Sequence, residues 1–312
     1  MKVTTVRKLT TLRKATALRL LAVAAFVFST AAHAQQTDFA AAQVKVTDLG
    51  HDTFMLEGVG GNVTVAAGRD GAIMVDGQFA PMHDKIKAVI LAVAGVPVKY
   101  LVNTHYHGDH TGGNAAFAAE GVTVVANENV GKRLAAGTTN PFTGSKTAPA
   151  EKSMIPKRPY TKDLRLSAGG RVARVGHPAN AHTDGDSYVY FADANVLSTG
   201  DIVTLGRYPL VDYTNGGSIG GLISAVDGYL KIANDKTKVV PGHGPLADRN
   251  TLVSYRTVLA TARDRVAKLA ADGKTEQEAV AAKPFPDLDK QTGANPQQSD
   301  VFVRGIYNSL KR

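Results

Sequence analysis

The sequence predicts a mixed α/β (α+β) fold of four layers, αββα, in which two sheets pack face to face between outer helices. Two observations lead to this prediction. Runs rich in β-forming residues and bounded by Gly and Asp alternate with segments of helical periodicity. The chain also contains two halves of similar order, each with strands followed by helices, as packed layers require. With 312 residues and 44% hydrophobic content, the chain belongs to neither the collagen-like nor the disordered class.

The first half opens with four β-rich runs, and a Gly-Arg-Asp-Gly turn at 68–71 joins the last two, which predicts an antiparallel meander. Helices and strands then alternate. The predicted elements are strands at 44–49, 53–59, 62–68 and 72–77, a helix at 82–94, a strand at 96–104, a helix at 114–119, a strand at 122–126 and a helix at 127–135. Residues 136–160 have no sustained period, and such a long loop is usually functional or disordered.

The second half repeats this order. It contains predicted strands at 163–169, 171–177, 187–193 and 195–199, a helix at 220–232, a strand at 237–242, a long helix at 247–271, and a polar tail with a final short helix. We therefore expect one domain over residues 35–312, closed by C-terminal helices.

Residues 1–34 have the features of a secretory signal peptide. They carry six basic and no acidic residues, an apolar run at 20–28 and the small-x-small sequence Ala32-His33-Ala34. The apolar run is too short to span a bilayer as a helix. We predict Sec-type export with cleavage after Ala34, and a periplasmic or secreted protein with no stable membrane insertion. A buried N-terminal helix and an uncleaved anchor are the alternatives.

The charge of the chain follows the same division. The formal charge of the whole chain is +9. Without the six basic residues of the signal, the mature chain has 30 basic and 27 acidic residues, which is a net charge of +3. A nucleic-acid partner is therefore not expected. The chain has no cysteine, which excludes disulfides, thiolate nucleophiles and cysteine metal ligands.

The segment 104–113, THYHGDHTGG, carries the strongest chemical signal. In an extended chain, residues two apart point the same way, so His105 and His107 can reach one metal ion from a strand end. Where the chain turns into a helix, Asp109 and His110 are redirected towards a second ion, and neighbouring glycines permit the turn. Each ion needs further donors. The sequence offers His182, Asp201 and His243, all beside Gly at predicted strand ends.

This order of donors resembles the metallo-β-lactamase-fold hydrolase superfamily over about residues 44–246. The resemblance implies an αββα sandwich with a two-metal site at its edge. It assigns to a first zinc ion the donors His105, His107 and His182. It assigns to a second zinc ion Asp109, His110 and His243, and it makes Asp201 a bridge between the two ions. It also matches Asp76 to an early strand-end Asp, with a supporting role, and it extends to the PGHG segment around His243.

The implied activity is hydrolysis of a small carbonyl substrate by a hydroxide that bridges two Zn²⁺ ions, with Asp109 orienting this nucleophile. A donor set of nitrogen and oxygen suits zinc, with Mn or Fe also open. Members of the superfamily that bind two iron ions carry a carboxylate where this chain has His107, which favours zinc.

The resemblance leaves the substrate open. The second donor set is similar to a cysteine-free subclass of metallo-β-lactamases, whereas Asp at 201 looks like glyoxalase II and the acyl-homoserine lactonases. β-Lactams, lactones, esters and thioesters all remain. Arg207 and Tyr208, and the part of the loop at 142–160 with Lys146, Lys152, Lys157 and Arg158, are candidates to line the pocket and hold an anionic group.

Two alternatives come from other classes of protein. A non-catalytic metal-binding or partner protein could keep the same fold, although a complete set of seven donors disfavours it. A nuclease of the same superfamily is disfavoured by export and by the low mature charge. The oligomeric state does not follow from the sequence.

Overall fold

A computed structural model describes residues 38–311 of the chain. The predicted signal peptide, residues 1–34, lies outside these described residues. Within the described range, two large sheets lie between helices, and Asp38–Arg312 forms one compact unit. Strands β1–β9 are Lys45–Gly50, Thr53–Glu57, Val63–Ala67, Ala72–Val75, Val98–Val102, Thr123–Asn127, Thr138–Thr139, Lys146–Thr147 and Arg158–Tyr160. Strands β10–β14 are Leu164–Ala168, Arg171–Gly176, Tyr188–Phe191, Val196–Ser198 and Lys238–Val240.

The first large sheet has the order β1-β2-β3-β4-β5-β6-β9. Strands β1 to β4 pair antiparallel, as the turn at 68–71 predicts, and β5, β6 and β9 continue in parallel. The second sheet has the order β10-β11-β12-β13-β14, antiparallel except for the parallel pair β13 and β14. In both sheets, the carboxyl ends of the parallel strands lie on the same side of the sheet, so the loops that follow these strands are neighbours.

The helices cover the outer faces of the two sheets. They are α1 His83–Ala94, α2 Gly108–Thr111, α3 Asn114–Ala119, α4 Glu128–Ala136, α5 Ile219–Ile232, α6 Arg249–Ala271, α7 Glu276–Ala281, α8 Pro286–Thr292 and α9 Pro296–Ser309. Apolar side chains of α1 and α3 pack on the outer face of the first sheet. Those of α5, α6 and α9 pack on the second.

A central apolar cluster joins the two sheets. Met55, Ile73 and Val102 of the first sheet contact residues such as Val189 and Phe191 of the second, all with 0% exposure. Burying such side chains on both faces of a sheet gives each strand a nearly continuous apolar sequence, as in β3 and β4. The predicted four-layer α/β fold is confirmed.

Two segments differ from the predictions. The 136–160 segment contains the short hairpin β7–β8, and its last residues, β9, pair in parallel with β6. Three residues are too few for a periodic pattern, so the sequence did not reveal this edge strand. The predicted polar tail forms three helices rather than one. Capping boxes start α7 at Thr275 and α9 at Asn295, and α9 is 14 residues long with one buried face.

Residues 38–311 include no helix that combines the length and the apolar character needed to cross a bilayer. The longest helix, α6, has 23 residues, but charged side chains interrupt it throughout.

Candidate metal centre

All seven predicted donors lie near one edge of the two sheets. His105 and the following turn come directly after β5, while Asp201 follows β13 and His243 follows β14. His182 lies in the connection between β11 and β12. The fold therefore brings residues from both halves of the chain to one place, where loops supported by rigid strands can present side chains.

The short helix α2 separates the two pairs of donors in the motif. His107 precedes this helix with extended backbone, and Asp109 and His110 lie within its single turn. Close backbone packing explains two of the motif glycines, because a Cβ on Gly113 would lie 2.5 Å from the carbonyl oxygen of Gly77, and one on Gly112 would be 2.8 Å from that of Gln78. A Cβ on Gly108 would meet open space, so this glycine is not required for the turn.

Three histidines form the first group. The Nε2 atoms of His105 and His182 lie 3.0 Å and 3.1 Å from Nδ1 of His107. Ligands about 2.1 Å from a tetrahedral ion are about 3.4 Å from one another, so these nitrogen atoms are spaced as one ion requires. The three side chains can hold a metal ion.

The outer nitrogen of each ring has its own partner. Nδ1 of His182 donates to the carbonyl oxygen of Leu210 at 2.7 Å, and Nε2 of His107 lies 3.2 Å from Asp212 Oδ2. Nδ1 of His105 lies 3.0 Å from the Thr104 hydroxyl, whose own proton goes to Asp76. With their outer nitrogens protonated, all three rings direct a lone pair inwards.

Asp109, His110 and His243 form the second group, which can also hold an ion. The two Nε2 atoms lie 3.4 Å apart, and Asp109 Oδ2 is 3.2 Å from His243 Nε2 and 3.6 Å from His110 Nε2. Nδ1 of His110 lies 2.8 Å from Asp76 Oδ2, which directs Nε2 inwards. Asp76 thus lies directly behind the His110 ring, where it can support that ring.

Asp201 lies between the two groups. Its Oδ2 is 3.4 Å from His243 Nε2 and 4.0 Å from His182 Nε2, and its Oδ1 is 3.2 Å from His110 Nε2. Oδ1 is buried without a hydrogen bond within the described residues. A buried carboxylate oxygen is costly unless a cation or donor satisfies it, so this atom fits a site built for metal.

The pKa values of the donors reflect this crowding. Burial lowers the pKa of His105 well below its usual value and that of His182 to about 4, and neighbouring histidines add to the effect. Burial acts in the same direction on His110, but the carboxylates of Asp201, Asp109 and Asp76 overcome it and raise the pKa. Burial therefore favours the neutral, cation-binding form of His105 and His182. Around the second group, the carboxylates of Asp109 and Asp201 lie close to His110 and His243.

The sequence matches the family model described as the Metallo-beta-lactamase superfamily over residues 56–244. The chain belongs to the metallo-beta-lactamase superfamily. The resemblance inferred from the motif is therefore confirmed. The matched segment includes all seven donors and ends before α6, so helices α6 to α9 lie outside it.

Solved structures agree with this assignment of the fold. A metallo-beta-lactamase from Pontibacter korlensis is 24% identical, with a TM-score of 0.57, and the match covers 70% of this chain and 99% of that one. One from Hirschia baltica is 20% identical, with a TM-score of 0.56 and coverage of 70% and 98%. VMB-1 is 19% identical, with a TM-score of 0.58 and the same coverage.

Sequence reasoning missed one supporting residue of this superfamily member, Asp212. Its carboxylate lies beside His107, receives the Tyr106 hydroxyl and accepts two hydrogen bonds from the Asn215 amide. Burial opposes its ionisation, but the hydrogen bonds from His107 and Tyr106 hold its pKa down at about 2. Asp212 is 105 positions from His107 in the sequence, so no local spacing could have revealed the contact.

A cavity of about 390 Å³ opens over the donors His107, Asp109, His182, Asp201 and His243. Arg207 and Tyr208, both predicted from sequence to line the pocket, lie in its wall. The two side chains differ in whether they already have a hydrogen-bond partner in the protein. Tyr208 is buried and its hydroxyl donates to Asp289 at 2.8 Å, whereas Arg207 has no ion pair or side-chain hydrogen bond within residues 38–311.

The 136–160 loop contributes to a second chamber of about 300 Å³, which also borders His107. Its lining from this loop comprises small, apolar and amide side chains such as Asn140, Pro141 and Met154. The four basic residues proposed to hold an anion are absent from both chambers among the residues described. Arg158 instead lies in β9 with its guanidinium 5.6 Å from the centre of the Tyr100 ring.

Proposed function

We propose that this protein is an exported hydrolase that holds two Zn²⁺ ions and cleaves small carbonyl compounds bearing a carboxylate. One observation carries the proposal. Seven nitrogen- and oxygen-bearing side chains converge in two adjoining groups at the base of a cavity. Its wall carries Arg207, which makes no ion pair with any residue that the structure describes. A donor set without sulfur suits zinc in a hydrolytic site.

In this proposal one ion would be held by His105, His107 and His182. The other would be held by Asp109, His110 and His243, and Asp201 lies between the two groups. The ions, when bound, supply Lewis acidity, which lowers the pKa of water and polarises a carbonyl group. The protein's contribution is to fix the donors in advance. Asp76, Asp212 and the carbonyl oxygen of Leu210 accept hydrogen bonds from the outer nitrogens of three rings and so set which nitrogen is protonated, and little reorganisation is needed.

Asp109 is the donor best placed to act on the nucleophile. Its side chain is 26% exposed and lines the cavity, whereas His110 and Asp201 are 0% and 11% exposed. A carboxylate at the cavity surface can accept a hydrogen bond from the attacking water and take up its proton. Arg207 would pair with the substrate's carboxylate and orient the scissile bond.

A substrate panel tests the proposal directly. The mature chain, purified and reconstituted with zinc, should contain two metal ions per chain and hydrolyse nitrocefin, or a lactone or thioester that bears a carboxylate. Nitrocefin comes first, because the structural neighbours are named as metallo-beta-lactamases. A protein that binds no stoichiometric metal, or that binds metal but hydrolyses no compound of the panel, contradicts the proposal.

We expect removal of metal to destabilise the fold. Metal present at about a hundred times its Kd adds about 3 kcal/mol to the free energy of unfolding. For a domain of this size, its removal should lower Tm by roughly 5–10 °C. Differential scanning calorimetry before and after chelation measures the shift. Adding back zinc should restore Tm, and an unchanged Tm would show that the donors bind no ion.

Arg207→Ala is expected to raise KM for carboxylate-bearing substrates by about ten- to a hundredfold, with a much smaller effect on kcat. The variant removes a charge-assisted hydrogen bond to a group remote from the scissile bond. Steady-state kinetics on the zinc-loaded protein measure both constants. Arg165→Ala, an exposed arginine on β10, is the matched control, and equal KM values in the two variants would remove Arg207 from the binding site.

A further inference from the structure

The C-terminal helix α9 closes one side of the cavity above the metal donors. Gln297 and Val301, from its first turns, face the cavity together with Arg207, Pro209 and Leu210. We propose that this part of α9 is the surface that selects the substrate's side chain, while Arg207 holds its carboxylate. The inference rests on the proposed hydrolase function, and it assigns a binding role to a region outside the family match at 56–244.

Packing fixes the position of α9 relative to the cavity. Phe302, Val303 and Ile306 are buried to 1% exposure or less against α5 and α6. The helix is also packed tightly on the loop after Asp201, because a Cβ on Gly305 would lie 2.9 Å from Cβ of Val211. A wall held by a buried face of this size stays in place when a ligand binds.

Tyr208 connects this wall to the metal centre. Its ring stacks on Phe302 with a centroid separation of 4.5 Å, and its hydroxyl bonds to Asp289 of α8. Tyr208 is the neighbour of Arg207 in the chain, so the stacking of Tyr208 on Phe302 fixes the backbone at Arg207 relative to α9. The two sides of the chamber therefore have a defined separation.

The side chains that α9 offers to the cavity are chemically distinct. Gln298 is engaged in the helix cap, where its Oε1 accepts from the backbone N–H of Asn295 at 3.0 Å. Gln297 is exposed and makes no side-chain hydrogen bond within the described residues, so its amide can both donate and accept. Val301 adds an apolar surface one turn further on.

A ligand that satisfies this chamber is a small carboxylate whose carbonyl lies over the metal donors and whose side chain carries an amide next to an apolar group. The carboxylate meets Arg207, the amide meets Gln297 and the apolar group meets Val301. A substrate without the side chain loses the contacts with α9 and keeps those with Arg207 and the donors. Selectivity for the side chain is thus separable from catalysis.

Two variants test the selectivity. Gln297→Ala should lower kcat/KM for a substrate with an acylamino side chain about fivefold relative to its counterpart without one, as expected for one neutral hydrogen bond. For β-lactams, benzylpenicillin and 6-aminopenicillanic acid form such a pair. Val301→Phe should reduce the same ratio by filling the chamber. Gln277→Ala, an exposed residue of α7, is the control, and an unchanged ratio in both α9 variants overturns the proposal.

A binding measurement separates this inference from the hydrolase proposal. The chain contains no tryptophan, so Gln297→Trp introduces a single indole at the cavity wall, and Gln277→Trp introduces one on α7, outside the cavity lining. Titration of the zinc-loaded variants with mercaptosuccinate, a thiol ligand for zinc with two carboxylates, should change emission saturably only in the first. That result supports α9 as a wall of the ligand-binding cavity even if the substrate panel identifies no substrate. No binding in calorimetry, or binding that leaves both indoles unchanged, contradicts it.

Discussion

Asp109→Asn is expected to lower kcat by about two to four orders of magnitude, the range for loss of a group that moves a proton in the transition state. The substitution keeps the size of the side chain and removes its negative charge. It leaves His105, His107 and His182 unchanged, so the first metal should remain bound. Stopped-flow hydrolysis of the best substrate, with metal analysis on the same samples, measures both quantities.

The metal analysis decides between two causes of lost activity. If the second ion is retained at high zinc while kcat falls, Asp109 acts on the nucleophile. If kcat recovers fully when zinc is added in excess, Asp109 serves only as a ligand, and its proposed role in proton transfer is wrong. Asp235→Asn, at an exposed position before β14, should behave like the parent protein.

Asp76→Ala is expected to lower the free energy of unfolding by about 3–5 kcal/mol, the cost of removing one partner from a buried ion pair. Asp76 is 1% exposed, and its carboxylate accepts from the Thr104 backbone N–H and hydroxyl, each at 2.7 Å. It also fixes the His110 ring. The same variant should therefore weaken zinc binding about ten- to a hundredfold. Urea unfolding and a competition assay with a chromophoric chelator measure the two effects.

A second substitution at this position removes an ambiguity. Asp76 has a φ of +63°, which Asn tolerates better than Ala, so part of the loss in Asp76→Ala is backbone strain. Asp76→Asn keeps the backbone conformation but provides one acceptor oxygen instead of two. It should recover part of the stability while zinc binding stays weak. Asp227→Ala breaks an exposed ion pair with Arg256 and should cost less than about 1 kcal/mol. If Asp76→Ala and Asp227→Ala lowered the free energy of unfolding equally, the proposed support of His110 by Asp76 would be excluded.

The sequence could single out the candidate metal donors because their signal is local. Four of them lie within six residues of the chain, and two more, Asp201 and His243, each follow a strand beside a glycine. His182 lies in the connection between two strands. The four layers could be predicted for a similar reason, because the alternation of strands and helices is visible in the periodicity of successive segments of the sequence. Both inferences required only short-range patterns.

The residues that support and surround the donors have no such pattern. The contact between His107 and Asp212 spans 105 positions, and the one between Tyr208 and Asp289 spans 81. The basic residues of the 136–160 loop had the right charge for a substrate site, but folding of its last residues into the sheet edge carries Arg158 away from the cavity. Long-range packing decides such positions, and composition does not.

The division of the donors between the two sheets has a consequence for how the centre forms. Each group combines residues before position 111 with a residue after position 181, and the His110–His243 pair spans 133 positions. Neither half of the chain alone can assemble a complete coordination sphere. Closing so long a loop costs conformational entropy. The packing of the two sheets has to offset this loss before the donors can come together. A metal ion held by these donors would therefore bind to a chain that is already folded, and it would hold the two sheets together rather than nucleate folding.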